Sequence, residues 1–228
     1  MALYAIGDLH LSLQAEKPMD VFGGKWENYV NKLREGFSVV TAEDTTVLLG
    51  DLSWGLDLAQ AERDLEFIAG IPGRKILVKG NHDYWWTTAA KFYRLCQERG
   101  WNDLFLLHNN CHFYGGVALC GTRGWFFEEE QEGTHDEKVF RRELIRLETS
   151  LQAAGEREKL CFLHYPPLYR GYRCQEILDL LAQYGVKRCF YGHLHGQSHN
   201  LAAEGIHDGV EFRLVSADFV DFRPIPVL

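Results

Sequence analysis

Short apolar runs alternate along this chain with longer amphipathic stretches. Runs at residues 3–6, 46–49, 75–78, 160–163 and 188–191 each give way within two residues to Gly or His. Short, mostly apolar runs with such ends predict parallel strands buried on both faces. Between them, Trp26, Tyr29, Val30, Leu33 and Phe37 follow the i, i+3, i+4, i+7, i+11 spacing of one helical face. Leu58, Ala61, Leu65 and Ile68 keep the same period, as do Ile177, Leu181 and Tyr184. Strand–helix alternation of this kind predicts an α/β domain.

The middle of the chain breaks that rhythm. Residues 104–107, 111–114 and 117–120 read as neighbouring strands, with Asn109-Asn110 and Gly115-Gly116 as turns. The acidic run Glu128-Glu129-Glu130 reads as a solvated loop. Beyond it, Phe140, Leu144, Leu147 and Leu151 mark another helix, with Thr134 and Glu137 spaced as its capping box. Residues 210–215 alternate as a strand. No repeat and no Pro- or Ser-rich linker divides the sequence. The expectation is one domain over residues 1–228 with two sheets, in which residues 121–151 are the segment available as a lid.

Composition and charge narrow the classes of function. The 228 residues are 46% hydrophobic and 25% charged, which excludes a disordered chain, a collagen or a coiled coil as a whole-chain description. A formal net charge of −8 disfavours extended nucleic acid as a partner, because phosphate-backbone binding runs on surplus Lys and Arg. It leaves room for a site that holds one phosphate through metal ions. No run approaches the roughly 20 apolar residues of a bilayer span, so no membrane partner is expected. The start, MALYAIGDLHLSL, lacks the basic region of a signal peptide. Cys96, Cys111, Cys120, Cys161, Cys174 and Cys189 are scattered without a CxxC pair and read as reduced thiols. These features predict a cytoplasmic protein. Oligomeric state is not legible.

The candidate chemistry sits where the strands end. The five apolar runs are followed by Asp8-Leu9-His10, by Asp51, by Asn81-His82-Asp83, by His164 and by His193-Leu194-His195. In open α/β sheets, ligands bind outside the carboxyl ends of the strands, so the five clusters converge. Gly7, Gly50, Gly80 and Gly192 each precede a candidate ligand, and glycine there allows φ > 0 and leaves space near the backbone for a metal and a phosphate. Asp8, His10, Asp51, Asn81, His164, His193 and His195 supply two carboxylates, one amide oxygen and four imidazoles. Such N/O donors suit Mn²⁺, Fe or Zn²⁺ better than Ca²⁺ or Mg²⁺. Seven ligands exceed the needs of one ion with an open position. Two divalent metal ions sharing one carboxylate use them all.

Together, Asp8-Leu9-His10, Gly50-Asp51, Gly80-Asn81-His82-Asp83, His164 and Gly192-His193-Leu194-His195 resemble the calcineurin-like metallophosphoesterases, the dinuclear metallophosphatases. That family's pattern is D-x-H, GD, GNH[D/E], a lone His and GHxH. All five blocks occur here in order between residues 7 and 195. The resemblance implies a four-layer α/β/β/α sandwich. It implies a metal-dependent phosphoester hydrolase with a bridging hydroxide and a small phosphoester substrate. It also implies that Asp8, His10, Asp51 and His195 hold one metal, that Asp51, Asn81, His164 and His193 hold the other, and that Asp51 bridges. His82 becomes the catalytic residue, protonating the leaving alkoxide or stabilising the transferring phosphoryl group. A nuclease or cyclic-nucleotide phosphodiesterase of the same fold is the alternative. A non-catalytic scaffold is a third reading, but it would be expected to show eroded ligands, whereas every position is filled.

One position departs from the pattern. Many members follow GD, after two further residues, with an acid that orients the histidine of GNH. Here that position is Trp54, leaving Asp83 or Asp57 as partners for His82. Trp54, Trp85, Trp86 and Trp125 flank the blocks and read first as walls of the site or core beneath it, and second as stacking surface for a base or an aromatic leaving group. Arg123 is equally suited to clamping a phosphate oxygen and to a structural ion pair. Trp54 and Arg123 are thus the candidate substrate-binding residues. His108, His112, His135, His199 and His207 lie outside the blocks and read as structural or solvated.

Overall fold

A computed structural model of the chain describes residues 1–125 and 134–228, the side chains of residues 134–136 aside. Its strands in chain order are β1 (Leu3–Ile6), β2 (Thr45–Leu49), β3 (Arg74–Val78), β4 (Leu104–Leu106), β5 (His112–Tyr114), β6 (Val117–Thr122), β7 (Glu158–Leu163), β8 (Leu168–Tyr169), β9 (Tyr172–Arg173), β10 (Arg188–Tyr191), β11 (Gly205–His207), β12 (Val210–Leu214) and β13 (Ile225–Pro226). The helices are α1 (Tyr29–Phe37), α2 (Leu58–Ala69), α3 (Ala89–Arg99), α4 (Thr134–Ala153) and α5 (Gln175–Gln183). One sheet has the order β13-β1-β2-β3-β4 and the other β11-β12-β10-β7-β6-β5.

The continuous apolar runs have a direct cause. Side chains alternate between the faces of a strand, and here both faces of the central strands are buried. Ile6, Leu48 and Leu77 point into a core shared with α1, α2 and α3. Their neighbours Ala5, Val47, Leu49, Ile76 and Val78 point the other way, into a core between the two sheets with Leu160, Phe162 and Phe190. Cys161, Leu163, Cys189 and Tyr191 form the third core, against α4 and α5. Three cores separate four layers, which is the predicted α/β/β/α sandwich. All six cysteines are free. Among the described residues, no helix is long and apolar enough to cross a membrane.

The five motif strands are all parallel within their sheets: β1 to β2 and β2 to β3 in one, β7 to β10 in the other. The sheets are tied at their carboxyl ends. Gly7 donates to the Val215 carbonyl (2.7 Å) and Ala217 to the Gly7 carbonyl (3.0 Å). Those bonds bring five strand ends onto one rim.

The middle of the chain differs from its predicted arrangement. Residues 104–106 do not neighbour the next two strands. They pair in parallel with β3 and extend the first sheet. Asn109-Asn110 is therefore no hairpin turn but part of the crossing between sheets, where Asn110 accepts from the His108 amide and donates to the Leu106 carbonyl. Gly115-Gly116 does turn a hairpin, with Tyr114 opposite Val117. Helix α3 was not legible, since it buries only Phe92 and Cys96. Of the segment expected as a lid, Thr122 ends β6 and α4 buries Leu147 and Leu151 against the second sheet. The run Glu128–Glu130 and the side chain of Thr134 lie outside the described residues.

Candidate metal centre

The rim residues form two groups of donors. Asp8, His10 and His195 make one, and Asp51, His164 and His193 the other, each with ligand atoms within 4.8 Å of one another. The Nε2 atoms of His10 and His195 are 3.1 Å apart, and His195 Nε2 is 3.4 Å from Asp8 Oδ1. His164 donates from Nδ1 to the Leu49 carbonyl (3.0 Å), which leaves Nε2 as an acceptor. That atom faces Asn81 Oδ1, a second acceptor, at 2.6 Å. Asp51 Oδ2 stands between the groups, 3.8 Å from His10 Nε2 and 3.6 Å from His164 Nε2. One carboxylate oxygen is thus within reach of both.

The backbone is bent to achieve this. Asp8 (φ 58°), His10 (φ 46°), Asp51 (φ 48°) and His193 (φ 72°) all lie in the left-handed region, which costs a non-glycine residue about 1–3 kcal/mol and is retained where surrounding structure enforces it. The glycines beside them divide the two predicted roles, and the space they leave takes up carboxylates. Gly50 has positive φ, but Gly80 and Gly192 matter for closeness. A Cβ on Gly80 would lie 2.1 Å from the Asp51 amide nitrogen, and one on Gly192 would lie 2.3 Å from Asp8 Oδ2. The space they leave is filled by the carboxylates themselves.

The donor chemistry fits divalent cations. Asp8 and Asp51 are almost fully buried, and the side chains facing them are imidazoles. Burial holds His10 well below its ordinary pKa, and holds His164 and His193 at about 3, so these rings are neutral donors. Burial, with Asp83 and Asp8 nearby, pushes the Asp51 carboxyl well above the usual carboxylate range. A group of buried acids and neutral imidazoles, acceptor facing acceptor, is balanced by a cation. His195 differs: burial lowers it, but hydrogen bonds with Asp218 and Asp8 lift it to about 10. A proton and a metal ion compete for its Nε2.

Asp218 is a site residue that the sequence reading missed. It is 2% exposed and accepts from His195 Nδ1 (2.8 Å) and from the Gly196 amide (3.0 Å). His199, read as structural, lies beside the site too, its Nε2 3.2 Å from Asp218 Oδ2. The strand-end signal points to Asp218, because residues 210–215 are a strand and it follows their carboxyl end.

His82 is flanked by an indole rather than held by an acid. Trp54 packs against its ring at 4.5 Å and stacks on His10 at 5.0 Å. Neither predicted partner reaches it. Asp83 accepts from the Leu52, Ser53 and Gly80 amides and from Trp85 Nε1. Asp57 caps α2, accepting from the Gln60 amide. Nδ1 of His82 is buried without a hydrogen-bond partner among the described residues, and burial lowers the ring's pKa.

Of the remaining candidates, Arg123 is 3.5 Å from Glu143 and 4.8 Å from the Trp125 ring. Its carbonyl accepts from the His164 and Tyr165 amides, so it supports the loop that carries His164. Trp85 is core. His112 and His207 bond to main-chain carbonyls, in line with their structural reading, and the side chain of His135 lies outside the described residues.

The model of the calcineurin-like phosphoesterase family matches residues 1–197. Asp218 lies beyond that match. No curated protein matches the chain. Among solved structures, the phosphopantetheinyl hydrolase PptH from Mycobacterium tuberculosis is similar with a TM-score of 0.63 and 15% identity, covering 100% of this chain and 95% of that one. A protein of unknown function from Aquifex aeolicus, AQ665, is similar with a TM-score of 0.53 and 18% identity, covering 99% of this chain and 95% of that one. At these identities the likeness is one of fold.

Proposed function

We infer that this chain, which belongs to the calcineurin-like phosphoesterase family, is a hydrolase of small phosphoesters that works with two divalent cations, Mn²⁺ or Fe/Zn. The observation that carries this reading is the position of Asp51 Oδ2 between two separate donor groups. A phosphopantetheinyl hydrolase of the same fold supports hydrolytic chemistry on this scaffold.

When bound, such cations supply Lewis acidity that lowers the pKa of water and offsets charge on phosphoryl oxygens. Asp8, His10 and His195 would hold one, Asn81, His164 and His193 the other, with Asp51 shared. The chain's own part is to hold these donors rigid and dry, and to present His82. That imidazole lies beside the first group, its ring 5.9 Å from His10. There it is placed to donate a hydrogen bond to the phosphoryl group or, in its protonated form, a proton to a departing alkoxide. A scaffold without catalysis would not need four strained ligand backbones.

The test is a phosphoester panel with a metal screen on purified protein. Elemental analysis after Mn²⁺ reconstitution should approach two ions per chain, and p-nitrophenyl phosphate should turn over. A chelator should abolish turnover and added Mn²⁺ restore it. No turnover of any ester with any metal would overturn the reading.

A further inference from the structure

A cleft of about 580 Å³ opens beside the metal centre, and His10, His82 and His195 lie on its inner side. We propose that this cleft is a leaving-group subsite for phosphoesters whose alcohol carries a flat aromatic ring of the size found in a nucleoside. The proposal rests on the hydrolase reading for its chemistry. If His82 serves the departing oxygen, the group attached to that oxygen lies on the His82 side, and the cleft is there.

The walls are aromatic and held in place. Trp54 stacks on His10 and packs against His82. Trp26 meets His10 and His195 edge-on, at 5.8 and 5.6 Å, and Phe222 behind it at 5.2 Å. Trp54 is therefore a rigid surface, which lowers the entropy cost of stacking a ligand on it, while Trp26, 7% exposed, is part of the core beneath the cleft. Trp54 is only half-buried, and the ammonium of the exposed, displaceable Lys17 stands 5.1 Å from its ring centroid. Phe22 also lines the cleft while 71% of it is exposed. It ends a 3-10 turn at Met19–Phe22, just before Gly23 and Gly24, both at positive φ. An aromatic ring so exposed contributes little to the core and is placed to cover a ligand.

The cleft's Lys25 and Asp218 are already engaged, whereas Trp54 Nε1 and His82 Nδ1 are buried without a hydrogen-bond partner among the described residues. Lys25 Nζ donates to the Asp218 carbonyl and to Asp221 Oδ1, both at 2.9 Å. The Asp218 carboxylate is taken by His195 and Gly196. Beyond those two ring nitrogens, what the cleft offers is ring surface, which favours a planar ring over a polyol or a second phosphate. The volume is far more than a phosphate fills.

The experiment matches leaving groups so that only the ring differs. Adenosine 5′-monophosphate and ribose 5-phosphate release the same type of primary alcohol, and benzyl and ethyl phosphate form a second pair. Base–aromatic stacking of about 1–3 kcal/mol corresponds to a kcat/KM ratio of roughly 5–150 in favour of the nucleotide. In Phe22→Ala that ratio should fall at least about threefold, taking Phe22 as the lesser share of the stacking. In Val21→Ala, beside it and 75% exposed, the ratio should persist. A matching benzyl preference would extend the subsite to simple aryl groups, and its absence would narrow it to bases.

Quenching of tryptophan fluorescence by adenosine, with ribose as control, reads the subsite without turnover. Equal kcat/KM for the two members of both pairs would overturn the subsite and leave the hydrolase intact. No cleavage of any ester, with adenosine quenching that weakens in Phe22→Ala, would sink the hydrolase and keep the subsite. A ring preference untouched by Phe22→Ala would place the ring elsewhere and overturn the proposal.

Discussion

The Asp218 carboxylate holds the His195 imidazole from behind, Oδ1 to Nδ1 at 2.8 Å, so that Nε2 faces Asp8 and His10. A carboxylate behind a ligating histidine fixes the ring's tautomer and direction and raises its basicity. Here the two residues come from different strand ends, and the carboxylate lies beyond the stretch that matches the family model. Loss of such a partner typically costs roughly 10–100-fold in metal affinity. Asp218→Ala should therefore weaken one of two Mn²⁺ sites by that amount in a calorimetric titration, while Asp218→Asn, which keeps an acceptor, should lose less. Two unaltered sites in Asp218→Ala would show that His195 needs no such support.

Asp51 Oδ2 lies 3.8 Å from His10 Nε2 of one donor group and 3.6 Å from His164 Nε2 of the other, and the proposed function has it shared between two cations. Asp51→Asn should lower metal content at both positions and lose turnover with it. A ligand at 100 times its Kd stabilises a fold by about 2.7 kcal/mol, which for a chain of this size is roughly 5–10 °C in Tm. Mn²⁺ should raise the Tm of the wild type by that order over chelator-treated protein, and leave Asp51→Asn nearly flat. Substitution of the exposed Glu98 should change neither quantity.

His82 should separate from the ligands. His82→Ala should keep its metal content and lose about 10²–10⁴ in rate on alkyl phosphates, the scale of a positioned acid. The loss should shrink for p-nitrophenyl phosphate, whose leaving group needs no proton. Equal losses on both esters would assign His82 to phosphoryl stabilisation instead. Asp57→Ala is the companion variant. Since Asp57 caps α2 and does not touch His82, it should cost about 1 kcal/mol of stability and leave kcat in place.

Lys75 tests the scaffold rather than the site. Its side chain is fully buried, and its ammonium donates to the Ala69, Ile71 and Gly73 carbonyls and pairs with Asp103. Lys75→Met would leave those acceptors without a donor. Leaving a buried acceptor unpaired costs about 1–3 kcal/mol, which urea unfolding would read directly. A loss below about 1 kcal/mol would mean that water replaces the ammonium.

The strands and the site were legible for one reason. Strands buried on both faces are written as unbroken apolar runs, and polar residues that end them stand out because a core has no other use for them. The candidate ligands Asp8, His10, Asp51, Asn81, His164, His193 and His195 all carry that signal. Helix α3 was not legible, since two buried residues carry too little periodicity. Residues 104–106 were assigned to the wrong neighbours, because a short strand carries no record of which sheet it joins.

How side chains from distant parts of the chain meet is settled by packing across the two sheets. That Asp83 turns to three amides and an indole while Trp54 packs beside His82 depends on the packing of the Asp51 and Asn81 loops. That Gly80 and Gly192 make room for carboxylates, rather than supply positive φ themselves, depends on backbone closeness across strands. Asp218 reaches His195 because β12 pairs in parallel with β10, which sets their carboxyl ends side by side. The chain by itself specifies which residues are costly to bury and where its strands stop. The distances that pair those residues arise from sheet order and twist, which local sequence does not encode.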